Sequence, residues 1–259
     1  MHPILFEAGS FTVYSYGFMI ALGIVAGMGY LIIEGKKEAG LTFDQANALF
    51  LFIFFAAVVG GKLFLFLEDP PGYVQDPARL LTGRGFVFYG SFLLAIPTMW
   101  WFFRKHELPG YRMLDVMAIT ACFVHLFGRI GCFLAGCCYG KLTDSVLGVT
   151  FTDPACYAEP LNTPLYPTQL LEAGYIFLVM LLLFYRRNKR RFYGQLFLSY
   201  LKLYAAGRFI LEFFRGDIGR GYLIKNYISH SQFIALCVLA VIIFVYIRMS
   251  RGIRLNHPL

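Results

Sequence analysis

The sequence predicts an all-α polytopic membrane protein with about seven transmembrane helices, an N-terminus outside the cell and a C-terminus in the cytoplasm. Hydrophobic residues make up 58% of the 259-residue chain and charged residues only 15%, whereas soluble domains carry about a quarter charged residues. The apolar residues fall into blocks of roughly 20, the length of helix that crosses a bilayer. Basic residues gather in alternate connections between these blocks, as the positive-inside rule requires.

The apolar blocks give the individual elements in order. We expect spans at 13–33, 46–67, 86–103, 113–134, 170–185, 192–214 and 232–247, of which the span at 170–185 is unusually short. Together they form a single integral-membrane domain over residues 1–259, with long outer loops at 68–85 and 140–168. Long ordered loops on one face of a protein usually carry function.

The basic residues set the orientation. More than half of the 23 Lys and Arg residues lie after spans one, three, five and seven, and the formal net charge is +8. Because these charges sit between apolar spans, they indicate topology and contact with anionic lipid headgroups rather than binding to nucleic acid. The N-terminal residues lack the basic region and cleavage site of a signal peptide, so we expect the first span to be retained.

Ionisable side chains inside the spans are the first candidates for a functional site, because burying them in a bilayer is costly. Arg129 lies near the outer end of span four between Gly128 and Gly131. Glu172 begins span five, and span six presents a set on one helical face at i, i+4 and i+7. This set is Arg208, Glu212 and Arg215.

The predicted topology brings a set of polar residues to one depth, toward the outer leaflet. This set is Tyr16, Arg84, Tyr89, Arg129, Gln169, Glu172, Arg215 and Gln232. Several arginines at headgroup depth favour a phosphate, because guanidinium donates paired hydrogen bonds and stays charged. Structural explanations stay open for some of them. Arg208 and Glu212 can form an ion pair without other function, Arg84 can extend to the interface, and the tyrosines can belong to an interfacial belt.

Four cysteines cluster near the longest outer loop: Cys132, Cys137, Cys138 and Cys156. The oxidising outer compartment allows a disulfide from Cys156 to Cys137 or Cys138, and packing or a catalytic thiol are further interpretations. A metal site is only weakly indicated, because the spacing lacks a paired C-x-x-C. The sequence therefore predicts neither a metal nor a cofactor.

Five segments together resemble one enzyme family, the prolipoprotein diacylglyceryl transferases. Residues 128–140, GRIGCFLAGCCYG, are similar to the family signature G-R-x-G-N-F-x-N-x-E-x-x-G. The other four resembling segments are 15–19 (SYGFM), 84–91 (RGFVFYGS), 166–173 (YPTQLLEA) and 207–217 (GRFILEFFRGD). The resemblance covers nearly the whole chain and agrees with seven spans and an outer N-terminus.

The resemblance implies an enzyme of the bacterial inner membrane with its active site toward the outer leaflet. It would move the diacylglyceryl group of phosphatidylglycerol onto the lipobox cysteine thiol of a preprolipoprotein signal peptide, releasing glycerol phosphate. Arg129 and Arg215 would hold the phosphate and Tyr16 would orient the headgroup. The expected catalytic set is Tyr89, Arg129 and Arg215. The expected substrate-binding set is Tyr16, Arg84, Gly131, Cys132, Gly140, Gln169, Glu172, Arg208 and Glu212.

The chain departs from the family pattern at polar positions. The family's histidine in the third-span segment is Tyr89, and its two signature asparagines and glutamate are Cys132, Ala135 and Cys137. An ordinary tyrosine has a pKa of about 10, so the general base is open, and Tyr89 could act only beside a cation such as Arg84 or Arg129. Alternatives are therefore a paralogue that transfers a lipid-derived group to another acceptor, a lipid-binding or lipid-transporting protein without chemistry, and, more distantly, a thiol-redox protein.

Overall fold

The protein was analysed as a computed structural model, which describes residues 1–9, 11–68, 70–76, 88–216, 222–224 and 228–256. Seven helices of 17 residues or more lie within these ranges, and each coincides with a predicted span. With one short helix, α3, they are α1 (Ser15–Ala39), α2 (Phe43–Glu68), α3 (Pro70–Gln75), α4 (Phe88–Lys105), α5 (Gly110–Ala135), α6 (Thr168–Arg186), α7 (Gln195–Leu211) and α8 (His230–Asn256). These helices make the chain a polytopic helical membrane protein.

Five helices are long and apolar enough to cross a membrane, among the residues that were described: Ser15–Ala39, Phe43–Leu67, Gly110–Ala135, Thr168–Lys189 and Ser231–Met249. α4 and α7 have 18 and 17 residues. At 1.5 Å per residue they reach about 26 Å, less than the roughly 30 Å of bilayer hydrocarbon. The span expected at 170–185 is longer than that range, because its helix starts at Thr168 and the helical run continues to Lys189.

Within the described ranges, three small two-stranded sheets accompany the helices. β1 (Ile4–Ala8) pairs with β2 (Phe11–Tyr14) directly before α1, in a segment for which the sequence predicted only loop and the start of a span. β3 (Val149–Thr150) pairs with β4 (Pro164–Leu165) inside the expected outer loop at 140–168. β5 (Tyr222–Ile224) pairs with β6 (Ile228–Ser229) before α8.

Contacts divide the chain into two compact units. One is Leu31–Met113. Within it, α2 and α4 touch backbone to backbone at Gly60 and Gly90, where a Cβ on Gly60 would lie 2.2 Å from the Gly90 carbonyl oxygen. The Ser91 hydroxyl donates to the Ala57 carbonyl oxygen at 2.7 Å across the same contact. Glycine is thus required for this close approach.

The other unit combines Met1–Tyr30 with Leu114–Leu259. Here the N-terminal half of α1 packs on α5 through Gly23 and Gly27. A Cβ on Gly23 would lie 2.9 Å from the Phe127 Cβ, and one on Gly27 would lie 3.2 Å from the Thr120 carbonyl oxygen. A buried apolar cluster joins α5, α6 and α7: Ala118, Ile119, Cys122, Ile176, Val179, Met180, Leu183 and Leu196.

A buried carboxylate fixes the start of α7 in this unit. Asp115 of α5 is 1% exposed and accepts backbone N–H groups from Gly194 at 2.9 Å, Leu196 at 2.8 Å and Phe197 at 3.1 Å. The first N–H groups of a helix have no partner inside the helix and carry partial positive charge, so a carboxylate there both caps the helix and is stabilised by it. Asp115 therefore locks α5 to α7 at the end far from Arg129.

Candidate functional site

The site begins with a stripe of polar residues on α5. His125, Arg129 and Cys132 follow at i, i+4 and i+7, so they share one helical face. Gly128 and Gly131 lie on the neighbouring face and admit α1. A Cβ on Gly131 would lie 3.2 Å from the Tyr16 Cα and 3.1 Å from the Met19 Cβ. The small residues of the signature thus let α1 approach the polar stripe closely.

Glu172 of α6 is the centre of the charge network. Its side chain is 3% exposed, and its Oε1 atom lies 2.9 Å from Arg129 Nη2 and 3.2 Å from His125 Nε2. Two donors thus converge on one buried oxygen, and charge-assisted hydrogen bonds of this kind are about twice as strong as neutral ones. The pairing orients the Arg129 guanidinium, whose side chain is itself only 16% exposed.

His125 is a member of this network that the sequence reasoning did not single out. Its ring packs edge-on against Tyr204 of α7, with centroids 5.0 Å apart. The available signal was its position four residues before Arg129, on the same helical face. A histidine therefore occurs inside the site, although the family's histidine position in the third-span segment is Tyr89.

Arg208 and Glu212 form the ion pair expected from their spacing. Arg208 Nη2 lies 2.8 Å from Glu212 Oε2, with side chains 15% and 6% exposed. The pair does not use all of Arg208, since its Nη1 atom is buried and has no hydrogen-bond partner among the described residues. A buried guanidinium donor left without an acceptor is costly, and an anionic ligand oxygen would satisfy it.

The last residues of the signature, 136–140, form a loop that follows α5. This signature loop is hydrogen-bonded to the segment that carries Arg215. Gly140 N–H donates to the Tyr166 carbonyl at 2.9 Å and Gly216 N–H donates to the Tyr139 carbonyl at 3.1 Å, while Gly140 and Arg215 form an isolated β-bridge. A Cβ on Gly140 would lie 2.5 Å from the Tyr166 Cβ, so only glycine fits. Arg215 is 7% exposed, and its position depends on this loop.

The first turn of α6 holds the same loop from another side. Thr168 Oγ1 donates to the Cys138 carbonyl oxygen at 2.8 Å, and Gln169 Nε2 donates to the Cys137 carbonyl oxygen at 2.8 Å. Thr168 and Gln169 are 2% and 1% exposed. The predicted supporting role of Gln169 thus has a geometric basis, a hydrogen bond to the backbone of the signature.

The loop also gathers thiols. The Sγ atoms of Cys132, Cys137 and Cys138 lie within 4.8 Å of one another, and all six cysteines are free. Hydrogen bonds from the Cys132 and Cys137 thiols, with the positive charges of Arg215 and Arg129, lower the pKa of the Cys138 thiol.

Cys156 does not belong to this group. A Cβ on Gly136 would lie 3.2 Å from Cys156 Sγ, and Cys156 packs beside an apolar cluster that contains Phe151 and Leu165. The disulfide from Cys156 to Cys137 or Cys138 that the sequence allowed is not present. Packing is therefore the reading of Cys156 that its surroundings favour.

The structure brings together most of the predicted site residues within one unit. Arg129 and Glu172 are in direct contact, Gly131 lies against Tyr16, and Gly140 is paired with Arg215. The Tyr16 side chain is 45% exposed, as an interfacial residue or a headgroup contact requires. Arg84 lies outside the described residues, and of Tyr89 only the backbone at the start of α4 is described, so their roles stay predictions.

The family model described as Prolipoprotein diacylglyceryl transferase matches residues 3–248. A phosphatidylglycerol–prolipoprotein diacylglyceryl transferase of Clostridium tetani is 36% identical over 247 residues, covering 95% of this chain and 97% of the relative.

Two further relatives carry similar names. A phosphatidylglycerol–prolipoprotein diacylglyceryl transferase 2 of Clostridium perfringens is 33% identical, over 95% of this chain and 94% of its own length. One from Dehalococcoides mccartyi (strain BAV1) is 32% identical, over 96% of this chain and 94% of its own length.

Proposed function

The chain belongs to the prolipoprotein diacylglyceryl transferase family, and on that premise we propose that it is a transferase of lipoprotein biosynthesis. It moves the diacylglyceryl group of phosphatidylglycerol to the lipobox cysteine thiol of a preprolipoprotein and releases glycerol phosphate. The observation that carries this proposal is the buried ion pair between Arg129 of α5 and Glu172 of α6, in a chain that matches the family from residue 3 to residue 248.

The arginines have the properties that phosphate stabilisation needs. Phosphate is the leaving group, so donors aimed at its oxygens act on charge that develops in the transition state. Arg129 is held by a buried carboxylate. Arg215 is buried on the segment that pairs with Gly140 of the signature. Arg208 has a buried donor, Nη1, with no hydrogen-bond partner among the described residues. We assign Arg129 and Arg215 to the phosphate and Arg208 to substrate binding, with Glu172 and Glu212 orienting the guanidinium groups.

The remaining predicted residues take supporting roles in this proposal. Tyr16 orients the headgroup beside Gly131, and Gln169 with Gly140 fixes the signature loop. Tyr89 and Arg84 stay candidates for the acceptor side. The acceptor thiol must lose a proton to become nucleophilic, and an ordinary tyrosine is a weak base for that task at neutral pH.

We extend the proposal to topology and location. The chain crosses the inner membrane of a bacterium seven times, since α4 and α7 span it together with the other five long helices. The N-terminus lies outside and the C-terminus lies in the cytoplasm. The alternation of basic connections supports this orientation, and it puts the site toward the outer leaflet of one integral-membrane domain. Phosphatidylglycerol, the bilayer and the signal peptide are then the partners, and nucleic acid is not.

A second candidate rests on a specific observation. The signature positions that the family fills with asparagine and glutamate hold thiols at Cys132 and Cys137, so the lipid site can be kept while the acceptor differs. This candidate is a paralogue that transfers the group to a glycan, a small thiol or another lipid. A related alternative is a protein that binds the lipid but catalyses no transfer.

Complementation separates these candidates. A bacterial strain depleted of its own lipoprotein transferase receives this gene, and lipidation of a marker lipoprotein is followed by its gel mobility and mass. We expect wild-type protein to restore lipidation, Arg129→Ala to abolish it, and Arg186→Ala, an exposed arginine distant from the network, to behave as wild type. No lipidation by well-expressed wild-type protein contradicts the proposal, and a new lipid adduct on another molecule supports the second candidate.

A further inference from the structure

The thiols Cys132, Cys137 and Cys138 form a compact triangle, with all three Sγ atoms within 4.8 Å of one another. A zinc ion bound to thiolates at about 2.3 Å in tetrahedral geometry needs sulfur–sulfur distances of about 3.8 Å. The observed triangle therefore needs at most a small contraction, within reach of a χ1 adjustment. Zinc and other soft cations prefer such thiolate ligands.

The backbone is shaped to make this triangle. α5 ends at Ala135, and Gly136 and Cys138 both have left-handed φ values of +76° and +64°. These two residues turn the chain back, so that Cys137 and Cys138 return to the last turn of the helix, where the Cys137 N–H donates to the Cys132 carbonyl at 3.1 Å. A non-glycine residue in this conformation costs of order 1 kcal/mol, so surrounding contacts must hold it.

Those contacts come from two buried side chains. Thr168 and Gln169 donate hydrogen bonds of 2.8 Å to the carbonyl oxygens of Cys138 and Cys137. Both donors are at most 2% exposed. The two thiols are thereby fixed through their own backbone, which is how residues behind a metal site orient its ligands.

Burial and charge also suit a metal. Cys132 is 7% exposed, whereas Cys137 and Cys138 are only partly buried, so a cation among the three would keep one side open. Three thiolates and one divalent cation carry a net charge of −1. Arg129 lies one helical turn before Cys132 on α5, and Arg215 is paired with Gly140, two residues after Cys138, so two cations are available to balance that charge.

We propose that Cys132, Cys137 and Cys138 bind Zn²⁺ as three thiolates, and that the open fourth position binds the acceptor thiol of the transfer reaction. The inference deepens the proposed function and rests on it. Catalytic zinc sites keep one position open, and a thiol that coordinates a metal ion is deprotonated. The metal site would thus deprotonate the acceptor thiol. The chain needs such a group because it has Tyr89 in place of the family's histidine.

The step balances without an external oxidant or reductant. Zinc binding releases the protons of the three thiols to solvent, and the acceptor thiol releases its proton on coordination. The acceptor sulfur then forms a bond to the glyceryl carbon while the bond from that carbon to the phosphate oxygen breaks. Glycerol phosphate leaves with the bonding electrons, and the neutral thioether, a weak ligand, dissociates. Cys132 lies one helical turn from Arg129, so acceptor and leaving group share one site.

The test uses the full-length protein purified in detergent. Metal content is measured after Zn²⁺ loading and gel filtration, and Co²⁺ loading serves as the optical probe, because tetrahedral cobalt thiolates absorb strongly in the visible. We expect one metal ion per chain, with affinity lowered by more than about 100-fold in Cys132→Ser and by about 10- to 100-fold in Gln169→Leu, the range for residues behind a metal site. Cys156→Ser is the matched control and should bind as wild type.

The acceptor arm uses a lipobox peptide with cysteine and the same peptide with serine. Only the cysteine peptide should shift the cobalt spectrum. Unchanged metal binding in a folded Cys132→Ser, Cys137→Ser, Cys138→Ser triple variant overturns the inference, as does an unshifted spectrum. Full transfer by that zinc-free variant overturns the inference but leaves the proposed function standing. A spectral shift without any transfer upholds the metal site and contradicts the proposed function.

Discussion

Substitutions in the buried ion pair between Arg129 and Glu172 should separate its contribution to the free energy of unfolding from its contribution to transferase activity. Glu172 Oε1 lies 2.9 Å from Arg129 Nη2, with side chains 3% and 16% exposed. Removing one partner of a buried pair leaves an uncompensated charge and costs about 3–5 kcal/mol, whereas replacing both with apolar residues is often neutral. We therefore expect Arg129→Met and Glu172→Leu each to lower the free energy of unfolding by about 3 kcal/mol or more.

The double variant should lose only about 1 kcal/mol, so the coupling energy between the two positions should be about 5 kcal/mol. Denaturant titration in micelles, followed by far-ultraviolet circular dichroism, measures the cycle. Lys37 and Glu34 are the control, since their atoms are 3.0 Å apart but the Lys37 side chain is 65% exposed, and a pair of that kind couples by about 0.2–1 kcal/mol. The recovered double variant should still lack transferase activity. Additive losses in the double variant would refute the argument.

Three further predictions concern the cap, the loop and the second arginine. Asp115→Ala removes the acceptor of three backbone N–H groups, two of them in buried hydrogen bonds, and should lower the free energy of unfolding by about 3 kcal/mol, with activity per folded molecule unchanged; a loss under about 1 kcal/mol contradicts the cap. Gly140→Ala puts a methyl 2.5 Å from the Tyr166 Cβ and should reduce activity by about 100-fold at unchanged helical content; normal activity would contradict the close fit. Arg208→Lys keeps a cation beside Glu212 but loses the free Nη1 donor, so KM for phosphatidylglycerol should rise about 10-fold with little change in stability; an unaltered KM would exclude that donor from binding.

The helices were predictable because burial in a bilayer leaves a long apolar run in the sequence. Arg129 and Glu172 were predictable individually, because a charge inside such a run is costly. Their contact was not, and neither was the place of His125, because His125 and Glu172 are 47 residues apart in the chain and only tertiary packing joins them. The β1–β2 hairpin was missed because the helix start at Ser15 cannot be read from hydropathy alone.

The thiol cluster was hidden for a different reason. Cys132 and Cys137 are five residues apart, a spacing that brings no two side chains onto one helical face. Their proximity depends on the left-handed backbone conformation of Gly136 and Cys138. The spacing of the cysteines does not predict such a turn. Conformation, rather than composition, makes these residues neighbours.

The two ends of α5 hold different kinds of residue. Asp115 anchors α7 through its backbone, and Arg129 follows 14 residues later on the same helix, roughly 21 Å away along the axis. Effects of substitutions at that separation are usually independent. Sequence divergence at the Arg129 end, such as thiols in place of asparagine and glutamate, can therefore accumulate without weakening the anchor at Asp115. The catalytic end of this fold can thus change its chemistry while the helix packing is kept.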